Sequence, residues 1–178
     1  MQKLCRSANK LGPDFYSREN VVQIAGELLG KILVTNFDNK LTAARIAETE
    51  AYNGIIDKAS HAYGGRRTKR TEIMYRAGGT AYVYLCYGIH HLFNVVTNAV
   101  DIPHAVLIRA AEPVAGIDIM LARTGKTETA PSLTSGPGNI TGALGISTRQ
   151  TGISLLDETI YIVDDGFIPG KNDIAVSP

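Results

Sequence analysis

Two carboxylates in a strand-like run are the first residues whose types and spacing could do chemistry. The run reads Arg-Ile-Ala-Glu-Thr-Glu-Ala-Tyr and occupies residues 45–52. Alternate side chains of an extended chain point the same way, so one face should carry Ile46, Glu48, Glu50 and Tyr52. A carboxylate beside an aromatic ring can act as a general base if it reaches an attacking water. The alternative for Glu50 is an ion pair, with Arg45 or with a cation of the loop that follows, and Glu48 has the same two interpretations.

The loop that follows, residues 57–79, has little periodicity and most of the local positive charge, and we call it the basic loop. Between His61 and Thr80 a single acid, Glu72, accompanies five cations: Arg66, Arg67, Lys69, Arg70 and Arg76. Long loops inside compact domains are usually functional or disordered. For His61, one interpretation is a loop histidine hydrogen-bonded to backbone, and the other is a pocket residue beside Glu50. A metal site is not indicated, since neither a His-Glu-x-x-His motif nor a Cys-His spacing occurs.

Tyrosines interleaved with cations point to nucleic acid as a partner. Cations hold phosphates while aromatic rings stack on bases, and three tyrosines accompany the basic loop in this way: Tyr52, Tyr84 and Tyr87. Tyr87 precedes Gly88 at a turn, so its ring should project from a hairpin tip, where it could wedge into a base stack. Tyr75 and Tyr82 are instead predicted to pack in the core. Asn94, a polar residue in an apolar strand, is either satisfied by backbone or tests the edge of a base.

The whole chain sets wider bounds on the class of protein. Its 178 residues are 44% hydrophobic with a formal net charge of +1, which predicts one core and no general affinity for nucleic acid or membranes. Cys5 and Cys86 are too few and too far apart for a disulfide framework. We find no apolar run long enough to cross a bilayer and no signal-peptide pattern, so a soluble, cytoplasmic protein without a membrane partner is expected.

Hydrophobic periodicity and turn residues predict the elements that must position these side chains. Residues 1–13 are interpreted as a flexible lead-in. Three helices are expected: 21–29, 113–124 beginning at Pro113, and 135–144. Strands are expected over six ranges: 31–35, 41–52, 80–86, 90–97, 106–111 and 159–163. Because turns join most of these strands, the prediction is a single mixed α/β domain over residues 1–178, with a largely antiparallel curved sheet flanked by helices and a protruding β-hairpin.

Taken in order, these segments closely resemble the alkyladenine (3-methyladenine) DNA glycosylase family of the zinc-independent α/β type, over about residues 14–178. The segments that carry the resemblance are Arg-Ile-Ala-Glu-Thr-Glu-Ala-Tyr at 45–52, Ser60-His61, Arg-Arg-Thr-Lys-Arg at 66–70, Tyr-Val-Tyr-Leu-Cys-Tyr-Gly at 82–88, Phe93-Asn94, Val-Leu-Ile-Arg-Ala-Ala-Glu-Pro at 106–113 and Ser-Gly-Pro at 135–137. The resemblance implies a monomeric, monofunctional enzyme that flips an alkylated or deaminated purine out of double-stranded DNA and cuts it from its sugar. It also implies that no metal or other cofactor is needed, and a nucleoid-associated location if the source is bacterial.

The resemblance implies a role for each matching residue. Glu50 resembles the general base that activates water. Three residues resemble the walls that stack on the flipped purine: Tyr52, His61 and Tyr84. Tyr87 resembles the wedge that fills the vacated space in the duplex, and Asn94 resembles the residue that rejects guanine by clashing with its exocyclic amine. Three residues resemble DNA-backbone contacts or pocket supports: Arg66, Thr68 and Arg109.

The sequence departs from the family pattern at three places. Asn139 stands where the family usually has Lys after Ser-Gly-Pro-x, which implies that one phosphate contact is absent. His90 occupies a hairpin position at which the family varies, so the resemblance assigns it no role. The family usually continues beyond the position of Pro178 with a Pro-Arg-Ile-Gly segment and a Pro-Trp-Arg-Phe strand, so the family's C-terminal segment is expected to be missing here.

Two other functional classes use part of the same residue set. A non-catalytic nucleic-acid-binding module would use the tyrosines and cations but would not need Glu50 or His61. A small-molecule hydrolase would use Glu50 and His61 but would not need the basic loop, and it should ignore DNA.

Overall fold

Seven antiparallel strands form one open, curved sheet in the computed structural model, which describes residues 9–177. The strands are β1 (Asn9–Lys10), β2 (Ile32–Phe37), β3 (Lys40–Tyr52), β4 (Ala81–Cys86), β5 (His90–Thr97), β6 (His104–Ala115) and β7 (Ile160–Asp164). Their spatial order is β1-β7-β2-β3-β6-β5-β4, and every neighbouring pair is antiparallel. The predicted fold class, mixed α/β with a largely antiparallel curved sheet, is confirmed.

The helices and the basic loop cover opposite faces of this sheet. The helices are α1 (Pro13–Tyr16), α2 (Val21–Leu28), α3 (Ile117–Thr124) and α4 (Pro137–Leu144), with 3-10 turns at Tyr63–Gly65, Glu72–Tyr75, Pro131–Leu133, Thr148–Gln150 and Lys171–Asp173. Side chains of α2, α3 and α4 pack in the main core with one face of the strands. The basic loop packs Met74 and Tyr75 against Tyr82 on the other face. Because side chains alternate between the two faces along β4, Val83 packs on the helix side and Tyr82 packs on the side of the basic loop.

A bulge in β3 decides which way its carboxylates point. The register of β3 against β6 shifts on both sides of Glu48. Before the bulge, Ile46 is buried in the main core; after it, the Thr49 hydroxyl donates to the carbonyl oxygen of Ala25 in α2 at 3.0 Å. Glu48 and Glu50 therefore point away from the helices. The prediction that Ile46 shares a face with the two acids is wrong, because pairing with β6 is irregular between Ile46 and Thr49 and the alternation reverses there.

Strand β6 is longer than the sequence predicts. The helix predicted over 113–124 is present and ends at Thr124, but its predicted start at Pro113 is wrong, because β6 continues through this residue and the helix begins only at Ile117. Proline cannot donate to a strand ladder, and here it lies opposite Ala44 at a register shift of β3, where irregular pairing tolerates it. Gly116 makes the turn into α3 with a φ of 70°, and a Cβ at this position would lie 2.3 Å from the carbonyl oxygen of Leu41. Only glycine fits this turn.

Part of the predicted lead-in is ordered. Strand β1 pairs with β7, and Leu11 packs in the main core, whereas residues 1–8, including Cys5, lie outside the described residues. Pairing at a sheet edge ties down a segment whose composition alone is polar. The other cysteine, Cys86, is a free thiol. Within residues 9–177, no helix has the length and apolar character needed to span a membrane.

Candidate active site

A small cavity lies between the sheet and the basic loop, and it brings the predicted pocket residues together. Its lining consists of Tyr52, Ala59, His61, Met74, Tyr82, Tyr84, Asn94 and Ala105. All four residues predicted for the base pocket are therefore neighbours, although they come from β3, the basic loop, β4 and β5. The cavity volume is about 20 Å³, which is enough for about one water molecule. Its walls must move apart before anything larger can enter.

Aromatic neighbours, rather than backbone groups, hold His61. Its Nδ1 lies 2.9 Å from the Tyr82 hydroxyl, and its ring meets the Tyr84 ring edge-on with centroids 4.6 Å apart. Arg70 joins this group: its Nη2 is 3.4 Å from His61 Nε2, and its guanidinium carbon lies 5.0 Å from the Tyr84 ring centroid. Burial lowers the pKa of His61, and the facing Arg70 and Arg66 lower it further. The ring is therefore neutral at neutral pH.

The lowered pKa of His61 predicts how this ring titrates. The folded chain binds the proton less tightly than the unfolded chain, so His61 destabilises the fold as the pH falls below its usual pKa of about 6.5. Above that pH both states are neutral and the penalty disappears. In an NMR titration of the imidazole, we expect a midpoint below about 6.5. Arg70→Met should raise the midpoint, because a facing cation has gone.

Arg66→Met is the matched comparison for this titration, since Arg66 lowers the pKa of His61 less than Arg70 does. Its midpoint should rise by a smaller amount. Both variants should still titrate below the usual value, because burial is the largest cause of the shift. A wild-type midpoint at or above the usual value, or no rise in Arg70→Met, would contradict this account.

Glu50 is ion-paired at the edge of the cavity. Arg109 Nη1 donates to Glu50 Oε2 at 2.6 Å. The Glu50 carboxylate, together with the larger effect of burial, raises the pKa of Tyr52, so it lies close to a cavity wall. The cation considered from the sequence, Arg45, is engaged elsewhere in an ion pair with an aspartate. Among the described residues, no hydrogen bond joins Glu50 to His61, so the two flank the cavity without direct contact.

The β4–β5 hairpin ends in an exposed apolar tip. Tyr87 and Gly88 have φ values of 52° and 76°, and Ile89 N donates to Cys86 O at 3.2 Å to close the turn. Tyr87 is 92% exposed and Ile89 is 72% exposed. Two large apolar side chains at this exposure contribute little to the core. The predicted projection of the Tyr87 ring is confirmed.

Comparison with known proteins decides the family. A model described as Methylpurine-DNA glycosylase (MPG) matches residues 14–178, which include every residue of the cavity and the hairpin tip. The chain belongs to the methylpurine-DNA glycosylase family. The resemblance inferred from the sequence segments is confirmed, and with it the expectation of a DNA glycosylase.

Several Bacillus proteins are similar to this methylpurine-DNA glycosylase family member, and each is named "Putative 3-methyladenine DNA glycosylase". A protein from Bacillus cereus (strain G9842) is 47% identical over 174 residues, which cover 93% of this chain and 84% of the relative. A protein from Bacillus cereus (strain B4264) is 50% identical over 155 residues, which cover 84% and 75%. A protein from Bacillus mycoides (strain KBAB4) is 49% identical over 155 residues, which cover 84% and 76%.

Asn94 is hydrogen-bonded to backbone, as one of the two interpretations made from the sequence has it, and it also lines the cavity. It is 2% exposed in β5, and its Nδ2 donates to the carbonyl oxygens of Tyr82 at 3.2 Å and Leu92 at 3.4 Å. The side chain is thus satisfied by backbone and at the same time lines the cavity. These two hydrogen bonds fix the orientation of the amide in the cavity wall.

Arg66 and Thr68, which are predicted to contact the DNA backbone, lie in a turn of the basic loop that hydrogen bonds stabilise. Thr68 N donates to Thr71 Oγ1 at 2.8 Å, and the carbonyl oxygen of Arg66 accepts from Thr71 Oγ1 at 3.0 Å. The Arg66 side chain is exposed above this turn. Arg67, by contrast, is already engaged, because its guanidinium binds the carboxylate of Glu72 with two hydrogen bonds and that of a second acid with a third.

A larger basic groove borders the cavity along β4, with a volume of about 590 Å³. It is lined by Lys69, Arg70, Glu72, Ile73, Arg76, Tyr82, Val83, Tyr84, Leu85, Thr148, Thr151 and Gly152. Thr151 holds the outer edge of β4, since its Oγ1 lies 2.9 Å from Val83 N and donates to Val83 O at 2.5 Å. The single acid of the groove, Glu72, is neutralised by Arg67. The groove therefore presents net positive charge beside the cavity.

Three residues of the site were not singled out from the sequence. Arg70 contacts two cavity rings, but nothing in the run of five cations distinguishes it from its neighbours. Tyr82 was predicted to pack, and it does, but it also binds His61. Thr151 lies 68 residues from Val83, and no local pattern indicates that contact.

Asn139 and His90, two residues at which the sequence departs from the family pattern, both lie at helix α4. Asn139, in place of the family's usual lysine, donates from Nδ2 to the carbonyl oxygen of Ser135 at 2.7 Å. The ring of His90 packs closely on Gly138, because a Cβ on Gly138 would lie 2.7 Å from His90 Nδ1.

Within residues 9–177, no three His, Cys, Asp or Glu side chains cluster as metal ligands would.

Proposed function

We propose that this protein is a monofunctional glycosylase for alkylated and deaminated purines in double-stranded DNA. Its substrates would include 3-methyladenine, 7-methylguanine, hypoxanthine and ethenoadenine, and its product would be an abasic site in base excision repair. The observation that carries the proposal is a cavity walled by Tyr52, His61 and Tyr84, with the carboxylate of Glu50 at its edge. Stacking rings next to a carboxylate fit a flipped base whose bond to the sugar is attacked by water.

The aromatic walls would select the base. A flipped purine stacks between rings with about 1–3 kcal/mol per base. Cationic bases such as 3-methyladenine gain an added attraction to the ring faces, and they also leave easily. Tyr84 already holds one cation, the guanidinium of Arg70, which supports the view that its face suits positive charge. Neutral hypoxanthine and ethenoadenine need hydrogen bonds or a proton on the leaving base.

Glu50 would activate the water. Its carboxylate accepts a proton from the water as the water oxygen bonds to the anomeric carbon of the sugar. The bond from that carbon to the base nitrogen breaks, and its electron pair leaves with the base. Arg109 holds the carboxylate in place through the 2.6 Å hydrogen bond. Because neither residues 45–52 nor β4 contains a lysine, a Schiff-base step is not part of the proposal.

Tyr87 would fill the gap that the extruded nucleotide leaves. Flipping costs a few kcal/mol, and it costs least for a weakly paired base, which favours damaged sites. An apolar side chain inserted between base steps compensates for the missing stacking. The tip of the β4–β5 hairpin offers such a side chain, because Tyr87 is nearly fully exposed.

Tyr87→Ser should weaken binding to a duplex that contains one hypoxanthine by roughly tenfold, since it removes one aromatic ring whose stacking on a base contributes about 1–3 kcal/mol. Fluorescence anisotropy at constant salt measures the effect. Tyr63→Ser is the matched control, because Tyr63 is a half-exposed tyrosine that belongs to the basic loop and not to the hairpin. Unchanged affinity in Tyr87→Ser would remove the wedge from the proposal.

The basic groove would hold phosphates of the DNA backbone. Each phosphate that a cation neutralises contributes about 0.9 to the steepness with which log affinity falls against log salt. Lys69→Ala and Arg76→Ala should each make this slope shallower by about that amount, as measured by binding titrations at several salt concentrations. Lys40→Ala removes the same charge at the far β2–β3 turn and should leave the slope unchanged. Equal slopes in all three variants would exclude the groove from DNA binding.

One assay tests the proposed function against both rival classes. A duplex with a single hypoxanthine is incubated with the protein and then treated with alkali, which cleaves the strand only at an abasic site. Cleavage at the lesion is expected, and an undamaged duplex should stay intact. A binding module would bind without producing cleavage, and a small-molecule hydrolase would do neither. The proposal extends to a single domain over residues 1–178 that acts as a monomer in the cytoplasm, associated with the nucleoid if the source is bacterial, and without a cofactor.

A further inference from the structure

Arg109 divides its guanidinium between two carboxylates of β3. Its Nε donates to Glu48 Oε1 at 2.8 Å, and its Nη1 donates to Glu50 Oε2 at 2.6 Å. Glu48 and Glu50 alternate along β3 and therefore share a face, and the irregular pairing between Ile46 and Thr49 turns that face away from the helices. The Glu48 side chain is 55% exposed, against 38% for Glu50. The proposed chemistry uses Glu50 and Arg109 but leaves Glu48 without a function.

Arg109 contacts Glu50 through Nη1. Arginine and a carboxylate tend to form two parallel hydrogen bonds, which engage both carboxylate oxygens. Here Nε is bound to Glu48, and Glu50 receives one hydrogen bond, from Nη1 to Oε2. A carboxylate bound in this way keeps lone pairs for an attacking water. A guanidinium released from Glu48 could rotate and occupy both oxygens of Glu50.

We propose that Glu48 is a positioning residue, which restrains Arg109 so that Glu50 keeps an oxygen free to accept the proton of water. The inference rests on the proposed glycosylase function and assigns Glu48 a part in it. Glu48 also has an electrostatic effect of opposite direction on DNA binding. It is an exposed acid beside a cation at the cavity edge, so it repels phosphates that approach Arg109 and competes with them for this cation.

Glu48→Ala separates the two effects. Base release from bound hypoxanthine duplex, measured in single-turnover reactions, should slow about tenfold, because small misplacements of catalytic groups have effects of this size or larger. Affinity for the same duplex should rise by up to about fivefold, as expected when a competing surface ion pair is removed. A general loss of structure would instead lower both quantities. Slower base release together with higher DNA affinity is therefore the result expected if Glu48 is a positioning residue.

Glu48→Gln keeps an acceptor for Arg109 Nε but removes the charge. It should restore base release to within about threefold of wild type, since the hydrogen bond to Nε can still form. It should keep the raised affinity for DNA, because the acid has gone. Glu112→Ala is the matched control: it removes an exposed acid from the same strand as Arg109, and its base release should equal that of wild type.

Two results would overturn the assignment of Glu48. One is wild-type base release in Glu48→Ala, and the other is base release in Glu48→Gln as slow as in Glu48→Ala. Failure of the proposed function would look different, because the wild-type protein itself would then leave the hypoxanthine duplex uncut after alkali.

Discussion

In Glu50→Gln, release of hypoxanthine from duplex DNA should fall by about 10²-fold or more, while affinity for the duplex is retained. Glutamine has the size of glutamate, and its carbonyl oxygen can still accept the hydrogen bond from Arg109 Nη1. It cannot accept a proton from water, so the attacking oxygen keeps the weak nucleophilicity of neutral water. Single-turnover base release and fluorescence anisotropy on the same duplex measure the two quantities.

Glu112→Gln is the control for this substitution, since it removes one acid from an exposed position of β6 that does not line the cavity. Its base release should equal that of wild type. Near-normal release in Glu50→Gln would show that another group activates the water, and the mechanism proposed for this site would fail. Abolished DNA binding in Glu50→Gln would also count against it, because the carboxylate is not assigned to phosphate recognition.

Arg109→Met should have the second largest effect, because it removes a cation that two carboxylates share. Glu48 and Glu50 would then face each other's charge without compensation, and Glu50 would lose the Nη1 hydrogen bond that orients it. Base release should fall by about 10- to 100-fold, the range for a misoriented catalytic group. DNA affinity should fall as well, since two unpaired acids would repel phosphates. Single-turnover reactions at saturating protein separate the effect on release from the effect on binding.

Arg18→Met is the matched control for Arg109→Met. Both arginines are partly exposed and ion-paired, with side-chain exposures of 36% and 37%, but Arg18 pairs with Glu27 beside α2. The control should bind DNA and release base as wild type does. Arg109→Met with normal release would mean that Glu50 needs no arginine for its orientation, which would also remove the basis for a role of Glu48.

Local sequence patterns predict most of the helices and strands. They fail where the pairing of strands distant in sequence determines the local structure. Helix α2 was predicted because apolar residues follow the helical repeat after Asn20, whose side chain accepts from Gln23 N at 3.0 Å. Pro113 was wrongly interpreted as a helix start, because nothing near it shows that the irregular register of β3 accepts a proline in β6. The bulge at Glu48 was missed for the same reason. A bulge is set by two strands together, and one strand alone does not reveal it.

For the candidate active site, too, the lining residues could be predicted from the sequence, but the contacts that depend on strand pairing could not. The resemblance to the family implied which residues surround the base pocket, and Tyr52, His61, Tyr84 and Asn94 do line the cavity. Which cation meets Glu50 could not be predicted, because Arg109 lies 59 residues away along the chain and reaches it only through the β3–β6 pairing. The sequence offered Arg45 or the basic loop instead. Contacts across a sheet depend on register, which single-residue spacing does not encode.

The resting size of the cavity has a consequence for competing molecules. About 20 Å³ admits no purine, and when a binding-competent state is rare, apparent affinity falls in proportion to its population. A free nucleobase must open the rings with its own contacts alone. Under the proposed function, a nucleotide in DNA shares that work with the hairpin tip and the basic groove, which would bind other parts of the same DNA. We therefore expect free nucleobases to be weak inhibitors, and a base that has been cut from its sugar would lose the tether that kept the walls apart.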